Sequence, residues 1–411
     1  MRCFYGVGVV DSWCFHGVGT VESRCFCGPA VPVVRANFDV VIAGAGIVGA
    51  ACALELTRAG LSVAIADPAF PGAGATAAGM GHVVVMQDSE PQFRLTSWSR
   101  QLWQALAPEL PAEAEYSPCG TLWVAADEEE LAAAHRLRDD AAARGLSAEL
   151  LDPAGLAEAE PQLRPGLSGG LLIPQDAVVY APAVARWMIR SAVAQGAVFR
   201  PGVAVESMRD GRAKLSDWTA WSAGALINAA GMAAARLTRG LPIQPRKGHL
   251  VITDRAPGFL RHQVVELGYT KSVQALASDS VAFNLSPRPT GQVLIGSSRQ
   301  SGVDTEAVDR PILEAMLRRA FSFMPALREL SAIRCWTGLR AATPDKLPLI
   351  GPHPELAGVW IAAGHEGLGI TTALGTARLL AAHLTGRVPE IPAEPYLPAR
   401  RAVMGGELND E

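Results

Sequence analysis

Cysteine is scarce in this chain. Seven in 411 residues, irregularly spaced and without a CxxC pair, exclude a disulfide frame and a finger-type structural metal, so reduced thiols and no metal site are expected. A surplus of one charge is missing too. The 36 basic and 40 acidic residues are mixed along the chain, and a net charge of −4 leaves no basic stripe for nucleic acid. Long apolar runs are absent: the longest charge-free stretch near the start, 40–54, is too short to span a bilayer and holds three glycines. No basic segment followed by an apolar core and a small-residue cleavage site opens the chain. Secretion is therefore not expected; the expected location is cytoplasmic, with at most peripheral attachment to the inner face of the membrane. What is plentiful is apolar content. At 49% of residues it suffices to bury roughly three quarters of the unfolded surface, in a chain long enough for two interleaved domains.

The most informative segment is Phe38-Asp-Val-Val-Ile-Ala followed by Gly44-Ala45-Gly46-Ile47-Val48-Gly49, which reads as a strand turning on glycines into a helix. Gly44 permits the tight turn, Gly46 lets the backbone approach a pyrophosphate, and Gly49 lets helix pack on strand, while the helix N-terminus offers N–H donors to the anion. The next apolar run ends at Asp67, about the offset at which an acid takes a ribose hydroxyl. The βαβ pattern implies a bound ADP moiety.

The first thirty-six residues differ in kind. Cys3-Phe-Tyr-Gly-Val-Gly-Val-Val recurs as Cys14-Phe-His-Gly-Val-Gly-Thr-Val and decays at Cys25-Phe-Cys27, a tandem repeat of eleven residues. Units this short cannot bury a face. Residues 1–36 are expected to be disordered, or to be translated repeat DNA ahead of a true start near Val33 or Val34.

Further on, Thr76-Ala77-Ala78-Gly79-Met80-Gly81-His82 is a small-residue loop whose backbone can lie close to something flat. Helical patterns cover 97–106, 127–144 and 181–196, and a strand pattern covers 198–205. Ala225-Leu-Ile-Asn228-Ala-Ala230-Gly231 is a second buried strand stopping at a glycine, with a helix expected near Met232. Short alternating runs across 243–335 predict a half-exposed antiparallel sheet. A third strand, loop and helix junction follows at Gly364-His365-Glu366-Gly367-Leu368-Gly369-Ile370-Thr371.

Taken together, these pieces, with Trp336-Thr-Gly-Leu-Arg340-Ala-Ala-Thr-Pro-Asp345, resemble the D-amino-acid oxidase-like superfamily of FAD-dependent oxidoreductases over residues 38–398. Thr76–His82, Pro245-Arg-Lys-Gly-His249 and Gly291-Gln-Val-Leu-Ile-Gly-Ser-Ser298-Arg-Gln are most similar to its D-hydroxyproline dehydrogenase branch, related to subunits of hydrogen cyanide synthase and opine oxidase. The resemblance implies an α/β fold: a Rossmann-like, GR2-type FAD-binding domain (37–95, 165–242, 335–398) interleaved with an antiparallel-sheet α+β substrate domain (96–164, 243–334), and a tail at 399–411.

It also implies non-covalent FAD with its pyrophosphate on Gly44–Gly49, its ribose at Asp67 and its adenine near Val205. The flavin ring would lie against Ala77, Gly79, Met80, Gly81 and His82, beside Ala230 and Gly231, with the 367–371 amides aimed at the pyrimidine end. Arg340 would fork onto a substrate carboxylate, with Tyr269, His249 and Ser298 lining the rest of the pocket. The implied reaction is hydride transfer from the Cα of a small D-configured or cyclic amino acid, cis-4-hydroxy-D-proline or D-proline, giving an imine. Glycine, sarcosine or an opine is the alternative donor. Outside that chemistry stand an NAD-dependent dehydrogenase and a non-catalytic flavin subunit. The electron acceptor is open among oxygen, a quinone and a partner subunit, and hetero-oligomers with small iron–sulfur or second flavin subunits fit the branch.

Overall fold

In the computed structural model, residues 36–268 and 279–400 are described. The first 35 residues, with their repeat, Tyr269, and the tail from 401 lie outside the described residues.

Alternating burial organises the first sheet. In β1 (Ala36–Ala43), Val40 and Ile42 face one core while Val41 and Ala43 face another, so a near-continuous apolar run is buried on both sides. β1 pairs in parallel with β2 (Val63–Asp67) and with β11 (Ala220–Asn228). The full order is β17 (Leu349–Pro352), β18 (Val359–Ala363), β11, β1, β2, β8 (Val198–Pro201), with β17 antiparallel at its edge. β9 (Val205–Arg209) and β10 (Arg212–Leu215) fold back antiparallel from β11 and bring Met208, Ala213 and Leu215 over one face. On the other face lie α1 (Ile47–Arg58), α2 (Glu90–Leu106), α5 (Ala181–Ala194) and α8 (Gly369–Leu384). Because β1, β11 and β18 are adjacent and parallel, the glycine loops that follow them open at one sheet end, the position at which open α/β sheets bind ligands.

The second sheet runs β16 (Ala332–Ala342), β12 (Gln244–Thr253), β15 (Val293–Ser301), β14 (Ser280–Pro287), β13 (Gln263–Glu266), β4 (Thr121–Ala125), β6 (Gly169–Ile173), β5 (Glu149–Leu151). Its pairs are antiparallel except β13 with β4. Phe283, Leu285 and Ile295 bury one face against α7 (Arg310–Phe323), where Phe323 stacks on Phe283 at 4.7 Å. α3 (Glu128–Ala143) and α4 (Pro153–Ala159) cover the far end, and the ribbon of β3 (His82–Val83) with β7 (Ala177–Val178) links the layers. The opposite face of the sheet meets the glycine loops of the first.

Several local expectations need correction. α2 begins at Glu90 rather than near 97, since Ser89 caps it by accepting from the Gln92 N–H at 3.3 Å and Pro91 fits the first turn. The 198–205 run breaks at Gly202, φ 74°, into two strands on different neighbours. The helix expected near Met232 is one turn, α6 (Ala234–Leu237), after a short 3₁₀ segment. β6, read from sequence with the FAD-binding stretch, hydrogen-bonds into the second sheet, as do β4 and β5. Among the described residues, no helix is long and apolar enough to cross a membrane.

Candidate active site

At Gly44 and Gly49 the cradle after β1 leaves no room for a side chain. Gly44, at φ 104°, would place a Cβ 2.5 Å from the Ala229 carbonyl oxygen, and a Cβ at Gly49 would overlap the Gly44 carbonyl. Gly46 caps α1 without a side-chain acceptor, and no acid occupies the first turn, so the positive end of the helix is left for an anion. The Ile47 N–H donates to Thr76 Oγ1 at 3.0 Å, tying the small-residue loop to this end. Asp67, the expected ribose acceptor, accepts from the Ala45 N–H at 2.6 Å and the Ala69 N–H at 2.8 Å, so its carboxylate braces the glycine loop and the turn after β2. Its backbone pairs with Pro201 of β8, and its carbonyl accepts from the Val203 N–H at 3.1 Å. Val205, the expected adenine neighbour, lies further along in β9, paired with Leu215.

Beside the cradle, Asn228 folds the second turn: its Oδ1 accepts from the Ala230 N–H at 3.2 Å, and its Nδ2 donates to the Ala234 carbonyl at 2.9 Å and to Thr238 Oγ1. Gly231, at φ 55°, has open space on its Cβ side. The third junction turns at Gly364, φ 78°, against Thr343. His365 is buried with Nε2 3.0 Å from Thr376 Oγ1, and burial lowers its pKa to about 4, which makes it a neutral strut of α8. Thr371 accepts from the Val84 N–H at 3.2 Å and donates to the His82 carbonyl at 3.0 Å, joining α8 to β3.

The second sheet presses on the small-residue loop through glycines. A Cβ at Gly338 would overlap Ala78, and one at Gly296 would sit 2.8 Å from Met80 Sδ. On this face, Arg340 of β16 lies opposite Arg246 of β12. Its Nη1 donates to the Ser298 carbonyl at 3.1 Å, and the guanidinium rests on Gly248, where a Cβ would fall 2.5 Å from Nη2. Gly367 lies beside its stem. Arg246 is paired with Glu366, both largely buried, which leaves the like charge next to Arg340 compensated.

A cavity of about 100 Å³ opens next to Gly367, among His82, Trp123, Gln263, Asn284, Lys346 and Glu366. Burial lowers the His82 pKa to about 3, so its ring is neutral. At the mouth, partial burial raises the pKa of Asp88 against the opposing pull of Lys346 and Arg299.

Alternation along β12 corrects one expected site residue. His249 points to the α7 side of the sheet and is fully buried, with Nδ1 2.9 Å from Ser298 Oγ and Nε2 accepting from the Asp309 N–H at 2.9 Å. Nε2 being an acceptor, Nδ1 carries the proton and donates to the serine. Burial, reinforced by Lys247, lowers its pKa. Both ring nitrogens are thus engaged away from the cavity. Ser298 likewise spends its hydroxyl on His249 and contributes only its carbonyl to Arg340. Cys335, also on the side away from Arg340, is exposed. Trp123, Gln263, Asn284 and Lys346 escaped the sequence reading; period-2 alternation in β13 and β14 was the available signal.

A mainly parallel α/β sheet with three glycine junctions at one end, closed by a second sheet, has the form of a dinucleotide-binding fold, and glycines at 44, 46 and 49 on a helix start without an acid in its first turn fit the pyrophosphate of FAD. The chain belongs to the DAO family of FAD dependent oxidoreductases, whose model matches residues 39–383. Hydrogen cyanide synthase subunit HcnC of Pseudomonas aeruginosa is 28% identical, over 89% of this chain and 97% of its own. Glycine oxidase of Geobacillus kaustophilus is 30% identical over 84% of this chain and 92% of its own, and the crystal structure of glycine oxidase from that organism superposes with a TM-score of 0.80, at 27% identity over 89% and 99%. D-amino acid dehydrogenase of Xanthobacter autotrophicus is 29% identical over 75% of this chain and 73% of its own. The protein is an oxidoreductase with a Rossmann-like fold and FAD as its cofactor.

Proposed function

We propose that this enzyme oxidises a small D-configured or cyclic amino acid at its Cα–N bond, with cis-4-hydroxy-D-proline or D-proline as donor. The observation that carries the reading is the place of Arg340: a planar guanidinium on the loop-facing side of β16, seated on Gly248, beside Gly367 and donating to the Ser298 carbonyl at 3.1 Å, is the donor type that recognises a carboxylate. When bound, FAD supplies the two-electron acceptor for the hydride leaving Cα. The work left to the chain is positioning. Gly44–Gly49 and Asp67 would hold the nucleotide end of FAD, the Ala77–His82 loop and Gly231 would bound its ring, and the amides at the start of α8 would supply positive charge beside it. The cofactor is held without a covalent bond. In this reading the FAD-binding and substrate domains follow the two sheets, with 169–173 assigned to the substrate side.

A relative named as a synthase subunit supports a partner subunit as the route for electrons, with oxygen and a quinone as the other acceptors. The relative named glycine oxidase supports a second reading, glycine or sarcosine as donor.

The test is an anaerobic visible spectrum of the purified protein before and after each candidate amine. Loss of the flavin band near about 450 nm with cis-4-hydroxy-D-proline or D-proline upholds the proposal. Bleaching by glycine or sarcosine alone replaces it with the second reading.

A further inference from the structure

Beside the guanidinium that is to receive a substrate carboxylate, the chain places a carboxylate of its own, that of Glu366. Arg246 and Arg340 are direct cross-strand partners on β12 and β16, so their side chains leave one face of the sheet about 5 Å apart. Like charges so placed repel. The two heads diverge: Arg340 turns onto Gly248 and the Ser298 carbonyl, while Arg246 reaches the Glu366 carboxylate. Glu366 is the residue before Gly367, and a Cβ on Gly367 would lie 3.9 Å from both Cδ and Nε of Arg340.

Glu366 is firmly set in that place. Its side chain is 9% exposed and that of Arg246 is 13% exposed. Its φ of 49° is a left-handed conformation that costs energy for a residue with a side chain, and such a conformation persists only where the surroundings fix it. Two acids line the cavity: Asp88 feels the pull of Lys346 and Arg299, and Glu366 is paired with Arg246. A largely buried carboxylate deprived of its counter-charge turns to another cation within reach, because remaining unpaired costs more than changing rotamer. Arg340, opposite Arg246 and beside Gly367, is such a cation.

We infer that Arg246 is a positioning residue for the substrate: by holding Glu366 it keeps an internal carboxylate off Arg340 and leaves that guanidinium to the carboxylate of the amino acid. The inference rests on the amino-acid reading above. A pair that merely clamped the sheet to the loop would behave differently. Loss of either partner would then do the same harm, and loss of both would be no better. If Arg246 restrains a competitor, the harm of losing it disappears once Glu366 has no charge.

The test reads binding apart from oxidation. On the FAD-loaded full-length protein, the flavin absorbance shift is titrated with cyclopentanecarboxylate, a carboxylate with no oxidisable nitrogen. Arg246→Met is expected to raise the dissociation constant about 10-fold or more, since the competitor is tethered at the site. Adding Glu366→Gln to that variant is expected to bring the constant back to within about 3-fold of the parent. Glu366→Gln alone removes the competitor and keeps every cation, so it is expected to bind the acid about 2- to 3-fold more tightly than the parent; this arm decides the matter even if Arg246→Met does not fold. KM for the amino acid is expected to follow the same order, with kcat changed less than about 3-fold. A double variant as weak as Arg246→Met, an Arg246→Met that binds like the parent, or a Glu366→Gln that binds more weakly than the parent would overturn the inference and leave the carboxylate role of Arg340 standing. Failure of the unaltered protein to bind the acid at all would sink that role, and the inference with it.

Discussion

The guanidinium of Arg340 occupies the space that a side chain on Gly248 would need: a Cβ there would lie 2.5 Å from Nη2 and 2.6 Å from Nη1. The two residues sit on adjacent strands, offset by one pair on a shared face, so the missing side chain of one is the seat of the other. Gly248→Ala is expected to displace the fork and raise KM for the amino acid by about 10- to 100-fold, with bound flavin unchanged. Arg340→Lys, which keeps the charge but loses the planar fork, is expected to cost about as much. Steady-state kinetics alongside flavin content checks both. An unchanged KM in Gly248→Ala would show that this contact has no part in binding.

The cradle makes a different demand. A Cβ at Gly49 would overlap the Gly44 carbonyl, backbone against backbone, with no flexible side chain to give way. Gly49→Ala is therefore expected to yield protein without bound flavin and with a lower Tm, measured by the ratio of visible to ultraviolet absorbance and by thermal melting. Retention of full flavin would show that helix and turn can separate at little cost.

These glycines were legible because their meaning is local. A turn, a helix start and an acid at a fixed offset are read within thirty residues of chain, and the three junctions converge because strand order brings β1, β11 and β18 side by side. The cavity was not legible. Trp123 and Asn284 are far apart in sequence, and a polar residue at an alternate position of a strand reads as solvent-facing until another layer is known to cover that face. β13 shows the difficulty: Val264 faces α7 while Val265 faces the cavity, and both are buried. His249 misled for the same reason. It lies one residue from Gly248, next to the arginine site in sequence and on the opposite face of the sheet in space.

Buried neutral histidines make stability depend on acid. The folded-state pKa of His365 is about 4, below the ordinary value of 6.5, because burial disfavours the cation. The unfolded chain therefore takes up a proton that the folded chain refuses, and the stabilisation, complete above pH 6.5, is lost as pH falls toward 4. The slope is at most about 1.4 kcal/mol per pH unit. His365→Gln keeps a polar group within reach of Thr376 and removes the titration. Melting curves from pH 7 to 4 are expected to converge for variant and parent as the medium becomes acidic. Parallel curves would show that the ring takes up its proton in the folded protein as readily as in the unfolded chain.

His249 offers the sharpest separation between packing and chemistry, since its ring spans from Ser298 Oγ to the Asp309 N–H, both at 2.9 Å. Asp309 caps α7 by accepting from the Ile312 N–H at 3.3 Å, so the histidine pins the start of that helix to the back of the sheet. His249→Leu would leave the part-buried Asp309 N–H without its acceptor, at a cost of about 1–3 kcal/mol, while Ser298 Oγ keeps the backbone N–H of residue 249. The expected outcome is a fall in Tm of several degrees with KM for the amino acid changed less than about 3-fold at a temperature where the variant is folded. His249→Gln, which supplies one donor and one acceptor, is expected to recover part of the Tm. A proton-transferring histidine would behave oppositely: either variant would lose kcat and flatten its pH profile while the melting curve stayed in place. Because the lowered pKa of His249 already keeps the ring neutral near neutral pH, the pH profile of kcat is the measurement that separates the two roles.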